Sequence, residues 1–328
     1  PMGVKLSGII NKRAIDFSFT QNSELSQVNI IICHNGCTDE TPQIAQNIKN
    51  TYSNRKIHLE VISSAKGMIL AQNACMRYVR KYNNIDSPII FVDTDALIDE
   101  KAIDIFLAQF KLHPDLKVVG AHPVPIAYNG SSIVRKFWDR VLNCRGYFPK
   151  SEVTVHYAPE FHPYAEIDPQ SIGMEFEKHS KIYFHGRCFA LRNESIWNVP
   201  NNAIAEDIFL DRSIHFRYGP GSIRVMYDAK INFYPINQLR DFSRIFFRIW
   251  YDLRSLKHAH PEFNSLREYS KTTLDWRYIH QLTIRWQIIF MIYSLTRKFY
   301  HFLYKNKLIY SEKSVFEVWS YNQKNKNV

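Results

Sequence analysis

Short apolar runs alternate with helix-forming stretches over the first 125 residues, and this alternation leaves few folds open to the chain. Runs of Val, Ile and Phe at residues 28–33 and 88–92 are typical of buried strands, whereas Thr41 and Pro42 predict a helix start with Thr41 as N-cap. Further strands are predicted near 58–63 and 118–122, and helices over 70–82 and 100–111. This spacing predicts βαβ units and an α/β fold with a Rossmann-type, mostly parallel sheet flanked by helices.

The alternation ends beyond residue 129. Residues 152–181 are polar and rich in His and Pro, which indicates a functional loop or lid. A strand over 183–191, a helix over 206–216 and an edge strand at 225–227 are predicted after it. From residue 239 the sequence is helical and aromatic in character, so we expect a helical C-terminal extension.

Composition excludes several classes of protein. With 45% hydrophobic and 14% aromatic residues, the 328-residue chain is not disordered. Its five cysteines form no Cys-x-x-Cys pair, which predicts free thiols rather than a zinc or redox site. The sequence contains no run of about 18 apolar residues, which a membrane span would require. No secretory signal is evident either, so we expect a cytoplasmic protein.

Positive charge is concentrated in the C-terminal part. The net charge is +11, and residues 244–328 carry 15 Lys and Arg against 6 Asp and Glu. The aromatic segment 286–304, flanked by Arg285, Lys305 and Lys307, is typical of a helix lying in a membrane interface. It predicts peripheral docking on the anionic inner face of a membrane, with packing as ordinary core as the alternative. No nucleic-acid-binding motif is present, so a nucleic acid is not an expected partner.

Two carboxylates follow the buried strand 88–92. If the strand continues, Asp93 and Asp95 project to one side and Thr94 to the other. Open parallel sheets bind ligands at this end of their strands, and paired carboxylates favour Mg²⁺ or Mn²⁺ with substrate phosphates. The alternative is a loop in which Asp95 or Asp99 caps the next helix.

Taken together, segments over residues 28–250 resemble the inverting GT-A glycosyltransferases of family 2, which include cellulose, chitin and hyaluronan synthases. The resemblance implies a GT-A fold and a metal held by Asp93 and Asp95. It also implies that Asp93 contacts the nucleotide-sugar donor.

Two segments resemble the family's donor site. Residues 28–41, VNIIICHNGCTDET, are similar to its strand and Asp-Gly-Ser-Thr-Asp-type turn, where Asp39 would hold the nucleotide base or ribose. Residues 65–73 are similar to its Gly-Lys and Ala-Leu-Asn segment, which implies donor contacts by Lys66 and Asn73. For Lys66, a plain turn residue is the alternative.

The block from 185–187 to 205–207 resembles the family's acceptor side. The resemblance implies that Asp207 is the catalytic base, and Glu206 is then expected to orient the acceptor. Neighbours on a helix face different ways, so only one of the two points at a given hydroxyl. The alternative is that both acids favour the positive N-terminus of a helix.

Residues 238–250 resemble the Gln-x-x-Arg-Trp helix of the family's processive members. Arg244 and Arg248, at i and i+4, would bind the donor diphosphate, with a solvated basic face as the alternative. The spacing departs from the family pattern, which favours addition of a single sugar.

Two further points stay open in the sequence. Residues 5–20 have helical character, and the strand and Pro-x-x-Asn-Glu-type segment that open the family are not recognised before them. A third metal ligand could come from the histidines around the long loop, although a surface or core role is expected for each: His156, His162, His179 and His185.

The sequence therefore predicts a GT-A catalytic domain over 1–238, with a nucleotide-binding half to about 125 and an acceptor half from about 126, followed by a basic helical region over 239–328. The predicted function is metal-dependent, inverting transfer of one sugar from a UDP-type donor to a sugar, lipid-linked or protein acceptor in surface polysaccharide, glycolipid or glycoconjugate synthesis. The alternatives are a retaining GT-A transferase or nucleotidyltransferase, and a non-enzymatic module that binds anionic membranes.

Overall fold

A mixed sheet of eight strands is the centre of the computed structural model, which describes residues 2–7, 28–52, 57–82, 87–126, 132–148, 154–156, 184–192, 197–201, 203, 205–236, 238–266 and 272–306. Ten strands occur in these ranges: β1 Met2–Ser7, β2 Val28–Asn35, β3 Ile57–Ser64, β4 Ile89–Asp93, β5 Ala96–Ile98, β6 Val118–Pro125, β7 Thr154–His156, β8 Cys188–Leu191, β9 Ile223–Phe233 and β10 Thr272–Leu274. Strands β7 and β10 form a separate antiparallel pair.

The strand order of the main sheet is β3-β2-β1-β4-β8-β6-β9-β5. Strands β3, β2, β1 and β4 are parallel, β8 is antiparallel to both of its neighbours, and β5 is antiparallel to β9. Because β9 is parallel to β6, six of the eight strands described in this sheet run in one direction. The predicted mixed α/β architecture is confirmed.

The opening strand that the sequence did not reveal is present. Residues 2–7 form β1, which pairs with Val28–Cys33 of β2 on one side and with β4 on the other. The expectation of a helical start without a strand is therefore wrong for residues 5–7. The segment MGVKLS alternates apolar with polar or small residues, but six residues are too short for this period to stand out.

Eight helices lie within the described ranges: α1 Thr41–Tyr52, α2 Met68–Tyr82, α3 Ala102–Leu112, α4 Ile133–Leu142, α5 Glu206–Tyr218, α6 Leu239–Ala259, α7 Trp276–Ile279 and α8 Ile284–Lys305. They agree with the predicted helices to within two residues where a bound was predicted. The predicted edge strand at 225–227 is part of the longer strand β9, in which Val225 and Met226 pair with β6 alone and residues 231–233 pair on both sides, with β5 at the edge of the sheet. The predicted loop over 152–181 lies outside the described residues except for β7.

Both faces of the sheet are covered by helices, which explains the continuous apolar runs of the strands. Ile30 and Ile32 of β2 pack with α1 and α3, whereas Ile31 and Cys33 pack with α2 and α5 on the opposite face. On that second face, Phe91 stacks on Phe189 and on the indole of Trp197, each at 4.8 Å between ring centroids. The site residues are thus attached to a rigid, two-sided core.

The C-terminal helix α8 belongs to a third apolar cluster. Its Ile289, Phe290 and Tyr293 pack with Val141 and Leu142 of α4, and partly buried side chains of α6 complete the cluster. This face of α8 therefore packs as core, although against helices rather than under the sheet. Within the described residues, none of the helices has the length and apolar character that a membrane crossing requires.

This packing predicts opposite outcomes for two phenylalanines of α8. Phe290 is 0% exposed and Phe299 is 57% exposed. Phe290→Ala should lower the free energy of unfolding by about 3–5 kcal/mol, because it leaves a cavity, and Phe299→Ala by about 0.5 kcal/mol or less. Urea denaturation measures both values. Equal losses in the two variants would contradict the docked orientation of α8.

Candidate active site

The loops after β2 and β3 meet at the carboxyl edge of the parallel strands. The backbone N–H of Gly36 donates to the carbonyl of Ser64 at 3.1 Å. Gly36 has φ of 65°, and a Cβ placed on it would lie 2.9 Å from the Cβ of Lys66, so a side chain is excluded here. The contact brings together the loops that carry the predicted donor-binding residues Asp39 and Lys66, both of which are exposed.

Asp39 caps the helix that follows it. Its Oδ1 accepts from the backbone N–H of Thr41 at 3.0 Å, and hydrogen bonds from the side chain and backbone of Thr41 lower the pKa of the carboxyl group. The predicted cap, Thr41, is instead the first residue of α1. The Asp39 carboxylate stays exposed at the strand edge, and its contact with a nucleotide remains a prediction.

The strand β4 ends at Asp93, and Thr94 and Asp95 form a turn into β5. Asp93 is half-buried, Thr94 is buried and Asp95 is exposed. Strand alternation therefore does not extend to Asp95, and the turn rather than the pleat determines its direction. The alternative, in which Asp95 or Asp99 caps the next helix, is wrong, because the N-cap of α3 is Lys101 without a side-chain hydrogen bond, and Asp99 Oδ1 accepts from the N–H of Lys101 in the turn before the helix.

A single short segment joins the end of β4 to the start of α5. The backbone N–H of Asp93 donates to the carbonyl of Arg187 at 2.8 Å, and the N–H of Gly186 donates to Oδ2 of Asp207 at 3.0 Å. A Cβ on Gly186 would lie 3.1 Å from both Asp207 Oδ2 and Glu206 Oε1. Glycine thus permits the sheet and the first turn of α5 to approach closely.

The two adjacent acids of α5 face different surroundings, as their helical spacing predicts. Asp207 is half-buried, and its Oδ1 accepts from the N–H of Ile208 at 2.9 Å. With the bond from Gly186, both oxygens of this carboxylate are oriented by backbone donors. Such an arrangement suits a group that must hold one direction towards a substrate.

Glu206 is 2% exposed, and its Oε1 accepts from Nε2 of Gln72 at 2.9 Å, while Oε2 has no hydrogen-bond partner among the described atoms. Burial, with the charges of Asp207 and Asp93 nearby, raises the pKa of this carboxyl group to about 8. Glu206 is therefore protonated at neutral pH. Its buried position does not favour the predicted direct contact with an acceptor.

Asn73 has protein partners for its side-chain amide. Its Nδ2 donates to the carbonyl of Val199 and to Oδ1 of Asn201, at 3.2 and 2.7 Å, and its Oδ1 accepts from the indole N–H of Trp197 at 2.8 Å. Through these hydrogen bonds, Asn73 anchors the segment that leads into α5. These bonds do not favour the predicted contact of Asn73 with the nucleotide-sugar donor.

The predicted diphosphate-binding arginines lie on α6, which packs against α4 and α8. Arg244 is 9% exposed with a contact to Oδ1 of Asp241 at 3.5 Å, and Arg248 is half-buried. Asp252, four residues further along, is also buried. The alternative of a solvated basic face is therefore wrong for Arg244, and the contact of either arginine with a donor stays a prediction.

Sequence reasoning missed Gln72 as a site residue. It lies on the buried face of α2 between Ile69 and Met76, at i−3 and i+4, where a polar side chain needs a buried partner. A polar residue on this apolar face was the sequence signal that could have identified Gln72. Its partner Glu206 follows 134 residues later, so the pairing itself was not accessible from local pattern.

The carboxylates fit a hard cation. Asp93 and Asp207 both raise the pKa of Glu206, so negative charge accumulates where a divalent ion would offset it. The described residues contain no group of three or more His, Cys, Asp or Glu arranged as a metal site. Of the histidines considered as a third ligand, His185 contacts the Arg187 guanidinium through Nε2 at 2.9 Å. His162, His179 and the side chain of His156 lie outside the described residues.

Comparison with known proteins places the chain in a family. The sequence model of glycosyl transferase family 2 matches residues 12–199. Among solved structures, the mannosyltransferase PcManGT from Pyrobaculum calidifontis, in complex with GDP-Man and Mn²⁺, shares 12% identity over 97% of this chain and 78% of its own, with a TM-score of 0.51. A search of curated proteins finds no match.

Two further structures are similar at lower TM-scores. Glucosyl-3-phosphoglycerate synthase from Mycobacterium tuberculosis, in complex with phosphoglyceric acid, shares 12% identity over 76% of this chain and 79% of its own, with a TM-score of 0.42. S. aureus TarS 1-349 shares 13% identity over 100% of this chain and 93% of its own, with a TM-score of 0.44.

The buried proton of Glu206 predicts how stability depends on pH in the metal-free protein. The pKa is about 8 in the fold against an ordinary 4.5, so the folded state keeps a proton that the unfolded chain loses in this window. Stability should fall as pH rises from 4.5 to 8, by at most about 1.4 kcal/mol per unit. Glu206→Gln should flatten this dependence, and Glu100→Gln, at an exposed position, should not. Thermal denaturation from pH 5 to 8 tests this, and parallel curves for wild type and Glu206→Gln would contradict the buried proton.

Proposed function

Because the chain belongs to glycosyl transferase family 2 and is a glycosyltransferase, we propose that it moves a single sugar from a UDP-type nucleotide sugar to an acceptor hydroxyl with inversion. The observation that carries this proposal is the convergence of Asp93, Glu206 and Asp207 at the carboxyl edge of the sheet. It joins a donor side, at the ends of the parallel strands, to an oriented carboxylate on α5.

On the donor side, the touching loops after β2 and β3 supply Asp39 and Lys66 for the nucleotide. Asp93 and Asp95 would hold Mn²⁺ or Mg²⁺, which is supported by the charge surplus at Asp93 and by the Mn²⁺ in the Pyrobaculum complex. A bound ion would neutralise the charge that develops on the departing diphosphate. Arg244 and Arg248 are the proposed further diphosphate contacts.

On the acceptor side, Asp207 is the proposed base. The acceptor oxygen attacks the anomeric carbon from the face opposite the diphosphate, the bond from that carbon to the phosphate oxygen breaks, and the hydroxyl proton passes to the Asp207 carboxylate. One displacement of this kind inverts the anomeric configuration. Backbone donors from Gly186 and Ile208 hold the carboxylate in place before the acceptor arrives.

Glu206 acts through Asp207 in this proposal. Two ionised carboxyl groups in this position would repel each other, and burial favours the protonated form of Glu206, which lowers that repulsion. The hydrogen bond from Gln72 fixes the buried group. Glu206 is therefore a positioning residue, in place of the predicted acceptor contact.

Metal dependence is tested by nucleotide binding. Asp93→Ala and Asp95→Ala should each remove the gain in UDP affinity that Mn²⁺ provides, because the ion loses a carboxylate ligand. Asp115→Ala, at an exposed position beyond α3, is the matched control and should keep that gain. Calorimetry with UDP, with and without Mn²⁺, measures it, and GDP serves as the comparison nucleotide. A full Mn²⁺ effect in Asp95→Ala would exclude Asp95 as a ligand.

The identity of the base is tested by turnover and stereochemistry. Asp207→Asn should reduce transfer by about 10²–10⁴-fold while donor binding survives. Glu206→Gln should lose less, because Glu206 is buried and is not the proposed base, and Asp115→Asn is the control. Donors are drawn from a panel of UDP and GDP sugars, and NMR of the product gives its anomeric configuration. A product that retains the donor configuration, or an active Asp207→Asn enzyme, would refute the single displacement.

A further inference from the structure

The outward face of α8 is a continuous line of exposed apolar side chains. Consecutive members are three or four residues apart, so they lie on one side of the helix, and each is 45–70% exposed. We name this line the outer stripe: Ile284, Ile288, Met291, Leu295, Phe299 and Phe302. A row of large apolar side chains along a whole helix marks a surface with a binding role.

The exposure does not come from a detached helix. The opposite face of α8 is packed, with Phe290 0% exposed and Ile289 3% exposed in the third apolar cluster. Tyr300, also on the packed side, donates from its hydroxyl to the carbonyl of Leu239 at 3.3 Å. The 22-residue helix is about 33 Å long, and the outer stripe follows that length.

The charges beside the outer stripe have one sign. Arg285, Lys298 and Lys305 are exposed on α8, and Arg297 is half-buried. The sequence has no Asp or Glu between Asp275 and Glu312. The helix therefore offers an apolar line bordered by cations.

Helix α4, which packs against α8, repeats this combination. Its first turns expose Ile133, Val134 and Phe137 together with Arg135 and Lys136. Asp139, its single acid, is buried and faces inward, where Asn143 and the Tyr147 hydroxyl donate to it. Two neighbouring helices thus present apolar and cationic side chains outward.

We propose that the outer stripe of α8, with the first turns of α4, docks on an anionic lipid bilayer, and that α8 lies in the plane of the interface. Apolar side chains enter the boundary between headgroups and acyl chains while flanking cations meet anionic headgroups. A second copy of the chain is a poorer occupant, because a symmetric contact would place the cations of one copy opposite the cations of the other. A soluble polyanion would leave the apolar line in water.

The test uses the full chain and vesicles of phosphatidylcholine with or without phosphatidylglycerol, at low and high salt. Leu295→Glu places a charge in the outer stripe, and Leu112→Glu, at a 68% exposed position on α3, is the matched control. Lys298→Gln with Lys305→Gln removes two cations, and Lys101→Gln with Lys111→Gln is the control pair. Circular dichroism and thermal denaturation confirm that each variant is folded.

Wild-type protein is expected to co-sediment with anionic vesicles at low salt and to be released at high salt. Leu295→Glu should abolish binding, and the double lysine variant should weaken it by about 25-fold, at about fivefold per cation, whereas both controls bind as wild type. Failure to sediment with either lipid, equal binding to neutral vesicles, or equal binding by Leu295→Glu and Leu112→Glu would overturn the proposal. A concentration-dependent dimer that Leu295→Glu dissociates, without vesicle binding, would assign the stripe to a second copy instead.

Discussion

The approach of the Gly186 backbone to the first turn of α5 is the contact on which the site depends. It places a peptide N–H on Asp207, would hold a Cβ only 3.1 Å from Glu206 Oε1, and is followed at once by the carbonyl of Arg187, which accepts from Asp93. Three carboxyl groups, from two distant parts of the sequence, are thereby arranged around one short backbone segment. A larger residue at this position would move α5 away from the sheet, and the geometry between Asp93 and Asp207 would change with it.

Packing carboxyl groups together has an electrostatic cost, and this cost is unequal for Glu206 and Asp207. Glu206 is fully enclosed, so its charged form loses the most hydration and it keeps its proton. Asp207 remains partly open, and two backbone donors orient its carboxyl group. The two neighbouring acids therefore differ, because Glu206 is enclosed and favours its protonated form, whereas Asp207 is open to a substrate. A cation at Asp93 would offset negative charge beside this pair, which connects donor binding to the acceptor side.

The sequence was sufficient for the elements that rest on local pattern and insufficient for the contacts that join them. Apolar runs located β2, β4 and β6, and the acids of α5 were found through the resemblance of their segment to the acceptor side of the family. The strand β1 was missed because its alternation covers six residues only. Contacts between residues far apart in the sequence explain the other misses, namely the turn at Asp95, the buried state of Glu206 and the anchoring bonds of Asn73. Gln72 meets Glu206 across 134 residues and Asn73 meets Trp197 across 124, and no period in the sequence reports such pairs.

Helix α8 is a second case in which the sequence alone was insufficient. Its sequence is apolar on nearly all sides, so composition alone leaves membrane docking and core packing as competing explanations. The structure assigns each to a different face, because Ile289, Phe290 and Tyr293 pack with α4 and α6 while the outer stripe points outward. A helix held by one apolar face cannot turn to hide the other without giving up the third cluster. The exposed line is therefore a fixed property of the folded protein, and its cations determine which partner it suits.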